Sequence, residues 1–329
     1  MKIYDTLLLL DKKRYPSLDK KIKILSQYRQ VYPEPFSLID NKFLKLIHDC
    51  ELLITGWGAS HLEPKLIKNA KKLKLIFHTA GSIKGFIDKS IFELGIRVSH
   101  SAKINAYPTA QFAFAMIILA GKKTFKISRY FYSTKALRSK DIKNIGNYKK
   151  TVGIISASKV GILVLEMLKL SDFEILVYDP YANKNIEDKF NCKLVDLHKL
   201  LINSSIISIH APNLESTKNM IGKNELKAMK DDTTIINTSR GGIIDQKALT
   251  EELIKGRLNA ILDVTTPEPL EYNSILWDLE NVYLTPHIAG SMGNEVNKMS
   301  EFMIEEVNRF NNKQVLEGEI FIDDYDLLA

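Results

Sequence analysis

Short apolar runs alternate with longer amphipathic segments along the whole chain. Ten of these runs have the length and the β-branched and aromatic composition of strands, and helical patterns separate most of them. Such alternation is typical of an α/β fold, in which a parallel sheet carries helices on both faces. The ten predicted strands are Thr6–Leu10, Leu52–Thr55, Leu73–His78, Ile96–Ser99, Val152–Ile155, Glu174–Tyr178, Ile206–His210, Thr234–Asn237, Asn259–Val264 and Val282–Leu284.

The length of the chain, 329 residues, is enough for about two domains of ordinary size. The run Ala106–Lys122 is apolar with few breaks, which predicts a buried helix. Because it lies between two blocks of strands and helices, we interpret it as the connection between two domains. Another helix is predicted over Glu295–Asn311, followed by a tail that we expect to return to the first domain.

Composition and charge argue against several classes of protein. Hydrophobic residues make up 45% of the chain, so a large core can form and wholesale disorder is not expected. The sequence predicts no targeting segment and no membrane span, and we expect a cytoplasmic protein with reduced Cys50 and Cys192 and no metal site. The net charge is +7, but the lysines are scattered, which favours a solvated surface over a nucleic-acid site.

The stretch "TVGIISASKVG", residues 151–161, has the form of a dinucleotide-binding turn with altered residues. The usual pattern, G-x-G-x-x-G, follows a strand and opens a helix. Here its six positions are Ser156, Ala157, Ser158, Lys159, Val160 and Gly161, so only the third glycine is present. A serine hydroxyl can donate to a phosphate, but serine adopts positive φ only at a cost, so we expect a different or strained turn.

An acidic residue follows the next predicted strand at the expected distance. Asp179 lies 18 residues after Gly161, near the spacing of the acid that binds the ribose hydroxyls of a dinucleotide. A carboxylate repels a 2′-phosphate, so the sequence favours NAD over NADP. The alternative interpretation is a strand–helix–strand unit with a small-residue turn and no cofactor.

Three residues of complementary chemistry follow three further strands. Arg240 lies in "NTSRGG", Glu268 in "TTPEPL" and His287 in "LTPHIAG". In an open parallel sheet, ligands bind outside the carboxyl ends of the strands, where such side chains can meet. An arginine can hold a carboxylate, a histidine can exchange a proton near neutral pH, and a neighbouring glutamate stabilises the protonated imidazole.

These parts suit hydride transfer between an alcohol and a ketone beside a nicotinamide. Arg240 would hold the acid group of the substrate, and His287 would handle the hydroxyl proton. Each residue also has an ordinary structural interpretation. Arg240 can be a surface ion-pair residue, Glu268 a loop carboxylate between two prolines, and His287 a helix cap.

The residues named so far resemble the D-isomer-specific 2-hydroxyacid dehydrogenases. The similarity is dense over about residues 150–292, traceable in "AKINAYPTAQFAFAMIILAGKK", and thin before residue 100. The runs N-T-S-R-G, D-V-x-x-x-E-P-L and T-P-H-I-A-G carry most of it. The resemblance implies an NAD-dependent enzyme that interconverts a D-2-hydroxy acid and its 2-keto acid, with Arg240, Glu268 and His287 as catalytic residues.

The resemblance also implies two Rossmann-like or flavodoxin-like domains with an active site in the cleft between them. Residues 104–292 would form the dinucleotide-binding domain, and residues 1–103 with 293–329 the substrate-binding domain. Members of the family are commonly homodimers that pair through the cofactor domain. The implied cofactor-binding residues are Ser156, Ala157, Ser158, Lys159, Val160, Gly161, Asp179, Pro180, His210, Ala211, Pro212, Thr217, Thr238, Ser239, Arg240, Asp263, His287 and Gly290.

The substrate loop "HTAGSIKGFID" departs from the common G-x-D-N-I-D run of the family. The implied substrate-binding residues are Ala80, Gly81, Ser82, Lys84, Arg240 and His287. Lys84 is either solvated or in contact with a second anionic group of the substrate. Gln111 stands where an acidic residue is common. The loops around Trp57, Gly81 and Lys84 would define the substrate, which the sequence does not name.

Two other functions remain open at this point. The protein can be a catalytically weak NAD(H)-sensing module on the same fold, which the altered glycine loop favours and the intact Arg240, Glu268 and His287 oppose. It can also be a nucleic-acid binder, on the evidence of net charge alone. We expect the enzyme, with a small acid as substrate and neither nucleic acid nor membrane as a partner.

Overall fold

The computed structural model describes residues 5–135 and 144–328, and it divides the chain into two compact units. The terminal unit comprises the described residues up to Ala106 together with those from Ser291 onward. The central unit is Tyr107–Gly290. The resemblance implied a central domain of residues 104–292, which begins three residues before this unit and ends two residues after it.

Helices and strands alternate in both units. The described strands are β1 Thr6–Leu9, β2 Leu52–Thr55, β3 Leu75–His78, β4 Arg97–His100, β5 Thr151–Ile155, β6 Glu174–Tyr178, β7 Lys193–Leu194, β8 Ile206–Ile209, β9 Thr234–Asn237, β10 Asn259–Leu262, β11 Val282–Leu284 and β12 Glu319–Ile320. The α-helices are α1 Leu18–Leu25, α2 Asn41–Ile47, α3 Pro64–Ile67, α4 Ala102–Gly121, α5 Thr124–Thr134, α6 Lys159–Leu168, α7 Asn185–Phe190, α8 Leu197–Asn203, α9 Lys223–Ala228, α10 Gln246–Ile254 and α11 Val296–Asn311.

The terminal unit is built on a sheet in the order β1-β2-β3-β4-β12. The first four strands are parallel, and β12 pairs antiparallel with β4. Helices α1 and α11 pack apolar side chains on one face, and α2 and α3 pack on the other. Because both faces are covered, β1, β2 and β3 each contain three consecutive apolar residues rather than an alternating pattern.

The central unit is built on a parallel sheet in the order β11-β10-β9-β8-β5-β6-β7. One buried cluster joins the sheet to α4 and α6, and a second joins it to α8, α9 and α10. The strand order reverses between β5 and β8, since the chain runs outward from β5 to β7 and in the other direction from β8 to β11. Ligands of open parallel sheets bind at such a reversal.

Helix α4 is long and apolar enough to span a membrane by length and composition alone, and it is the one described helix that passes this test. One such helix is weak evidence, because a core helix passes the same test. Its side chains Ala110, Ala113 and Ile117 are fully buried in the core of the central unit. Packing inside the unit accounts for its apolar composition.

The predicted α/β fold with parallel sheets is confirmed, and a described strand lies at each of the ten predicted positions. Strands β7 and β12 were not predicted, because two residues are too few to show a period. Helix α4 begins at Ala102 rather than at 106, since the amide of Asn105 already bonds to the carbonyl of Ser101. The tail returns to the terminal unit as expected, through β12.

Candidate functional site

The loop after β5 crosses the point where the strand order reverses. Ser158 is the residue before α6, and its hydroxyl accepts a hydrogen bond from the amide of Gly161 at 3.3 Å. The same hydroxyl donates to the carbonyl of His210, just after β8, at 2.8 Å. Ser158 therefore joins the two loops that border the reversal, and its hydroxyl acts as a helix cap.

The first part of this loop follows the path that a glycine would take. Ser156 has a φ of 76°, in the left-handed region that L-residues adopt at a cost. The expected strain is therefore present at Ser156. Gly161 fills the third glycine position for the usual reason, since a Cβ there would lie 2.0 Å from the carbonyl oxygen of Ser156.

Asp179 follows β6 and its carboxylate reaches back to the loop. Oδ2 accepts from the amide of Ala157 at 2.8 Å and from the hydroxyl of Ser156 at 3.2 Å. Oδ1 accepts from the amide of Tyr181 at 2.8 Å. The acid is thus held at the carboxyl edge of the sheet beside the start of α6.

Two buried polar side chains at this edge have no hydrogen-bond partner among the described residues. They are His210, on both ring nitrogens, and Thr238, on its hydroxyl. Both residues directly follow the register pair Ile209 and Asn237 of the neighbouring strands β8 and β9. Burial lowers the pKa of His210 to about 3, so its ring is neutral.

These residues fit a dinucleotide. Four features lie along this edge of the central sheet. They are a helix N-terminus for the phosphates, a glycine position without room for a Cβ, an acid after β6 and unpartnered polar atoms. Ser156 to Gly161 and Asp179 would hold it, with Lys159 and Val160 in the first turn of α6. Thr217 behaves differently, because its hydroxyl bonds within its own turn, to Pro212 and Leu214.

Arg240 lies in a turn shaped by the side chain of Asn237. That amide donates to the carbonyl of Arg240 at 2.9 Å and accepts from the amide of Ser239 at 3.1 Å. A Cβ at Gly241 would lie 2.1 Å from the carbonyl oxygen of Thr265, so this glycine lets the loop after β9 touch the loop after β10. Burial lowers the pKa of Arg240, and the charge of Glu268 opposes that shift.

His287 and Glu268 form a hydrogen-bonded pair. Nδ1 of His287 lies 2.5 Å from Oε1 of Glu268, and both side chains are nearly half exposed. His287 has a φ of 54°, in the left-handed region that non-glycine residues adopt at a cost. Because Nδ1 faces the carboxylate, Nε2 is the nitrogen left to meet a substrate.

The turn that carries His287 is fixed by Asp263, whose side chain is buried. Its carboxylate accepts from the hydroxyl of Thr285 at 2.6 Å and from the amides of Ile288 and Ala289 at 2.8 and 2.9 Å. The amide of His287 donates to the carbonyl of Asp263 at 3.0 Å. The resemblance implied a place near the cofactor for Asp263 and did not indicate this second task.

A cavity of about 520 Å³ borders the His287–Glu268 pair within the central unit. Its lining is largely apolar and includes Leu270, Trp277 and Leu284. The pair thus borders a largely apolar space.

The predicted substrate loop lies in the terminal unit, after β3. Ala80 is buried, the carbonyl of Gly81 lies 2.9 Å from Nδ1 of His100, and the hydroxyl of Ser82 accepts from the amide of Lys84. The Nζ of Lys84 donates to the carbonyl of Asp326 at 3.2 Å, and burial lowers the pKa of this lysine. Lys84 is therefore not simply solvated, and its contact with substrate stays a prediction.

Sequence reasoning missed Tyr15, which stands behind these loops. Its buried hydroxyl donates to the carbonyl of Thr79 at 2.9 Å and accepts from the amide of Trp57 at 2.8 Å. Its ring stacks on that of Trp57 with centroids 6.3 Å apart. A single tyrosine before a proline gives no signal for such a bridge.

A family model described as "D-isomer specific 2-hydroxyacid dehydrogenase, NAD binding domain" matches residues 114–289, more than half of the chain. The chain belongs to the D-isomer-specific 2-hydroxyacid dehydrogenase family. The matched segment lies within the central unit and contains Arg240, Glu268 and His287.

Two relatives and one solved structure show the range of similarity. The glyoxylate reductase of Korarchaeum cryptofilum is 30% identical over 276 residues, 83% of each chain. The D-3-phosphoglycerate dehydrogenase of Archaeoglobus fulgidus is 33% identical over 231 residues, and this match covers 70% of the chain but only 44% of that longer protein. The D-lactate dehydrogenase of Aquifex aeolicus, solved with NAD and lactic acid, has a TM-score of 0.73 at 23% identity, over 94% of this chain and 95% of that chain.

Proposed function

We propose that this protein is an NAD-dependent dehydrogenase that interconverts a D-2-hydroxy acid and its 2-keto acid. The observation that carries the proposal is the 2.5 Å contact between His287 and Glu268, with half-buried Arg240 in a neighbouring loop. These side chains come from three strand ends at one edge of the sheet, where a parallel sheet binds its ligand. The glyoxylate reductase and D-lactate dehydrogenase among the similar proteins support this class of substrate.

Each residue has a distinct task in the reducing direction. The planar guanidinium of Arg240 binds the carboxylate of the keto acid and polarises its carbonyl. His287 donates a proton from Nε2 to the carbonyl oxygen, while Glu268 at Nδ1 orients the ring and stabilises its protonated form. Asp263 and Thr285 hold the turn on which this histidine stands.

The cofactor we propose is NAD rather than NADP. When bound, a nicotinamide dinucleotide supplies the hydride for the reduction. Asp179 would hold the ribose hydroxyls of the dinucleotide, and its carboxylate would repel a 2′-phosphate there because like charges repel. The loop Ser156–Gly161 and the N-terminus of α6 would hold the pyrophosphate.

We also propose a homodimer that pairs through the central unit. Helix α5 has eleven residues and none is buried, although its sequence includes Phe131 and Tyr132, which are 41% and 70% exposed. Contiguous exposed aromatic surface on a helix is typical of a contact with another protein.

The direct test is oxidation of NADH by a panel of 2-keto acids that differ in side chain and charge, repeated with NADPH. The proposal expects multiple turnovers per enzyme with at least one keto acid, and faster turnover with NADH. NADH binding without turnover of any keto acid would favour the sensing module instead. The retained His287–Glu268 pair opposes that alternative, because a sensor has no use for it.

A further inference from the structure

We call the loop Ser156–Gly161 the cofactor loop. Ser156 is the residue at which this loop departs most from the family pattern. The backbone keeps the left-handed conformation of a glycine, with φ of 76°, and the amide of Ser156 bonds to the carbonyl of Tyr178 at 2.8 Å. A serine in this place has two consequences, strain in the backbone and a hydroxyl directly beside Asp179. The second consequence bears on cofactor selection.

The carboxylate of Asp179 is nearly saturated by donors of the protein itself. An ionised carboxylate offers about four acceptor positions. Ser156 and Ala157 use two on Oδ2, and the amide of Tyr181 uses one on Oδ1. The two adjacent hydroxyls of an adenosine ribose need two acceptor positions, so one protein donor must withdraw.

The donor that can withdraw is the hydroxyl of Ser156. Its hydrogen bond is 3.2 Å long, whereas the two amide bonds are 2.8 Å. The amides are fixed by the backbone, but a serine hydroxyl turns about a single bond. Ribose binding therefore exchanges the Ser156–Asp179 bond for a ribose–Asp179 bond, while a glycine or alanine at this position leaves the acceptor free.

We propose that Ser156 sets the affinity and the selectivity of this loop for its dinucleotide by competing with the ribose for Asp179. This inference rests on the proposed function, since it assumes that the loop binds NAD(H). The competition weakens the binding of NADH, because its ribose must displace the hydroxyl of Ser156. It leaves NADPH unaffected, because NADPH offers a single free ribose hydroxyl there, which can take the unused acceptor position on Oδ1 without displacing Ser156. Ser156 therefore narrows the preference for NADH over NADPH.

The experiment is a fluorescence titration of the full chain with NADH and with NADPH, in the absence of keto acid. Ser156→Ala removes the hydroxyl, and we expect the Kd for NADH to fall about three- to tenfold, the worth of one ordinary hydrogen bond. The Kd for NADPH should not change. Ser171→Ala is the matched control, since its hydroxyl bonds at the end of α6 to Leu168, and it should leave both constants unchanged.

Ser156→Gly separates strain from competition. We expect it to lower the Kd for NADH as Ser156→Ala does, and in addition to raise the Tm, because glycine adopts φ of 76° without strain. If Ser156→Ala fails to fold, Ser156→Gly still decides the question, because relief of strain would change the Kd for both dinucleotides and loss of competition would lower only the Kd for NADH.

Two results would overturn the inference while the proposed function stands. A higher Kd for both dinucleotides would show that the hydroxyl binds the pyrophosphate, and unchanged constants would show that it does not compete. If neither NADH nor NADPH binds to the wild type or to Ser156→Gly, the proposed function itself fails.

Discussion

His287 and Glu268 are in contact although they lie 19 positions apart in the sequence and follow different strands. Glu268 stands in the loop after β10, and His287 follows β11, the next strand in the sheet. Each residue alone has an ordinary structural interpretation, and the 2.5 Å distance between them favours the functional one. No pattern in the sequence indicates that distance or the φ of 54° at His287.

Glu268→Gln tests the electrostatic part of this contact. The neutral amide still occupies the space beside Nδ1 but no longer stabilises the protonated imidazole, so proton donation by His287 should slow. We expect kcat/KM for keto-acid reduction at neutral pH to fall by about tenfold, with the Kd for NADH unchanged. Glu271→Gln, an exposed neighbour outside the pair, is the control. An unchanged kcat/KM would contradict the role assigned to Glu268.

Two other histidines are buried and should stay neutral well below neutral pH. Burial lowers the pKa of His78 to about 3, helped by nearby His100, and it lowers the pKa of His210 to about 3. Between about pH 6.5, the ordinary value, and pH 3, the unfolded chain binds protons at these sites that the folded chain does not. The stability they contribute is therefore present above pH 6.5 and is lost as the pH falls through that window.

The measurement is an NMR titration of the imidazole nitrogens from pH 8 to pH 5. The signals of His78 and His210 should not shift over this range, and their loss in His78→Gln and His210→Gln would assign them. Titration of either ring near pH 6.5 would mean that it is not buried as the structure has it.

At the scale of elements, the rule that ligands bind at the carboxyl ends of parallel strands was sufficient to predict where the candidate residues lie. Arg240, Glu268, His287 and Asp179 each follow a predicted strand, and the structure places all four at one edge of the central sheet. Side-chain contacts between loops were not predictable. The bonds of Asp263 to the turn of His287, and of Ser156 to Asp179, depend on backbone paths that periodicity does not encode.

The close approach of the cofactor loop and α6 gives a test at this scale. Gly161→Ala places a Cβ 2.0 Å from a backbone oxygen of Ser156, which cannot move aside as a side chain would. Overpacking of this kind costs about 1–3 kcal/mol, so we expect the Tm to fall by about 5 °C and NADH binding to weaken. Gly256→Ala is the matched control.

Gly256 lies in the same unit, with φ of +69° and nothing near its added Cβ. Its substitution should cost about 1 kcal/mol through backbone strain alone, with no effect on NADH binding. Equal effects of the two alanines on binding would contradict the packing role of Gly161.

For the whole molecule, the two α/β units were predictable because the pattern of strands and helices extends along the chain. Family membership was predictable from the runs N-T-S-R-G, D-V-x-x-x-E-P-L and T-P-H-I-A-G. Oligomeric state was implied by resemblance alone and stays a prediction. Replacing Phe131 and Tyr132 by Glu on α5 should convert a dimer of the wild type into a monomer, as measured by light scattering after gel filtration. A monomeric wild type, or a double variant that still dimerises, would contradict pairing through this face.

The most direct measurement of the central claim is a double-mutant cycle on the proton-donating pair, read as kcat/KM for keto-acid reduction by NADH. His287→Gln should lose at least a hundredfold, the usual contribution of a positioned proton donor. Glu268→Gln should lose less, and the double variant should be no worse than His287→Gln, because Glu268 acts only through the imidazole. A double variant whose losses multiply, or a His287→Gln enzyme within a few-fold of wild type, would contradict the account.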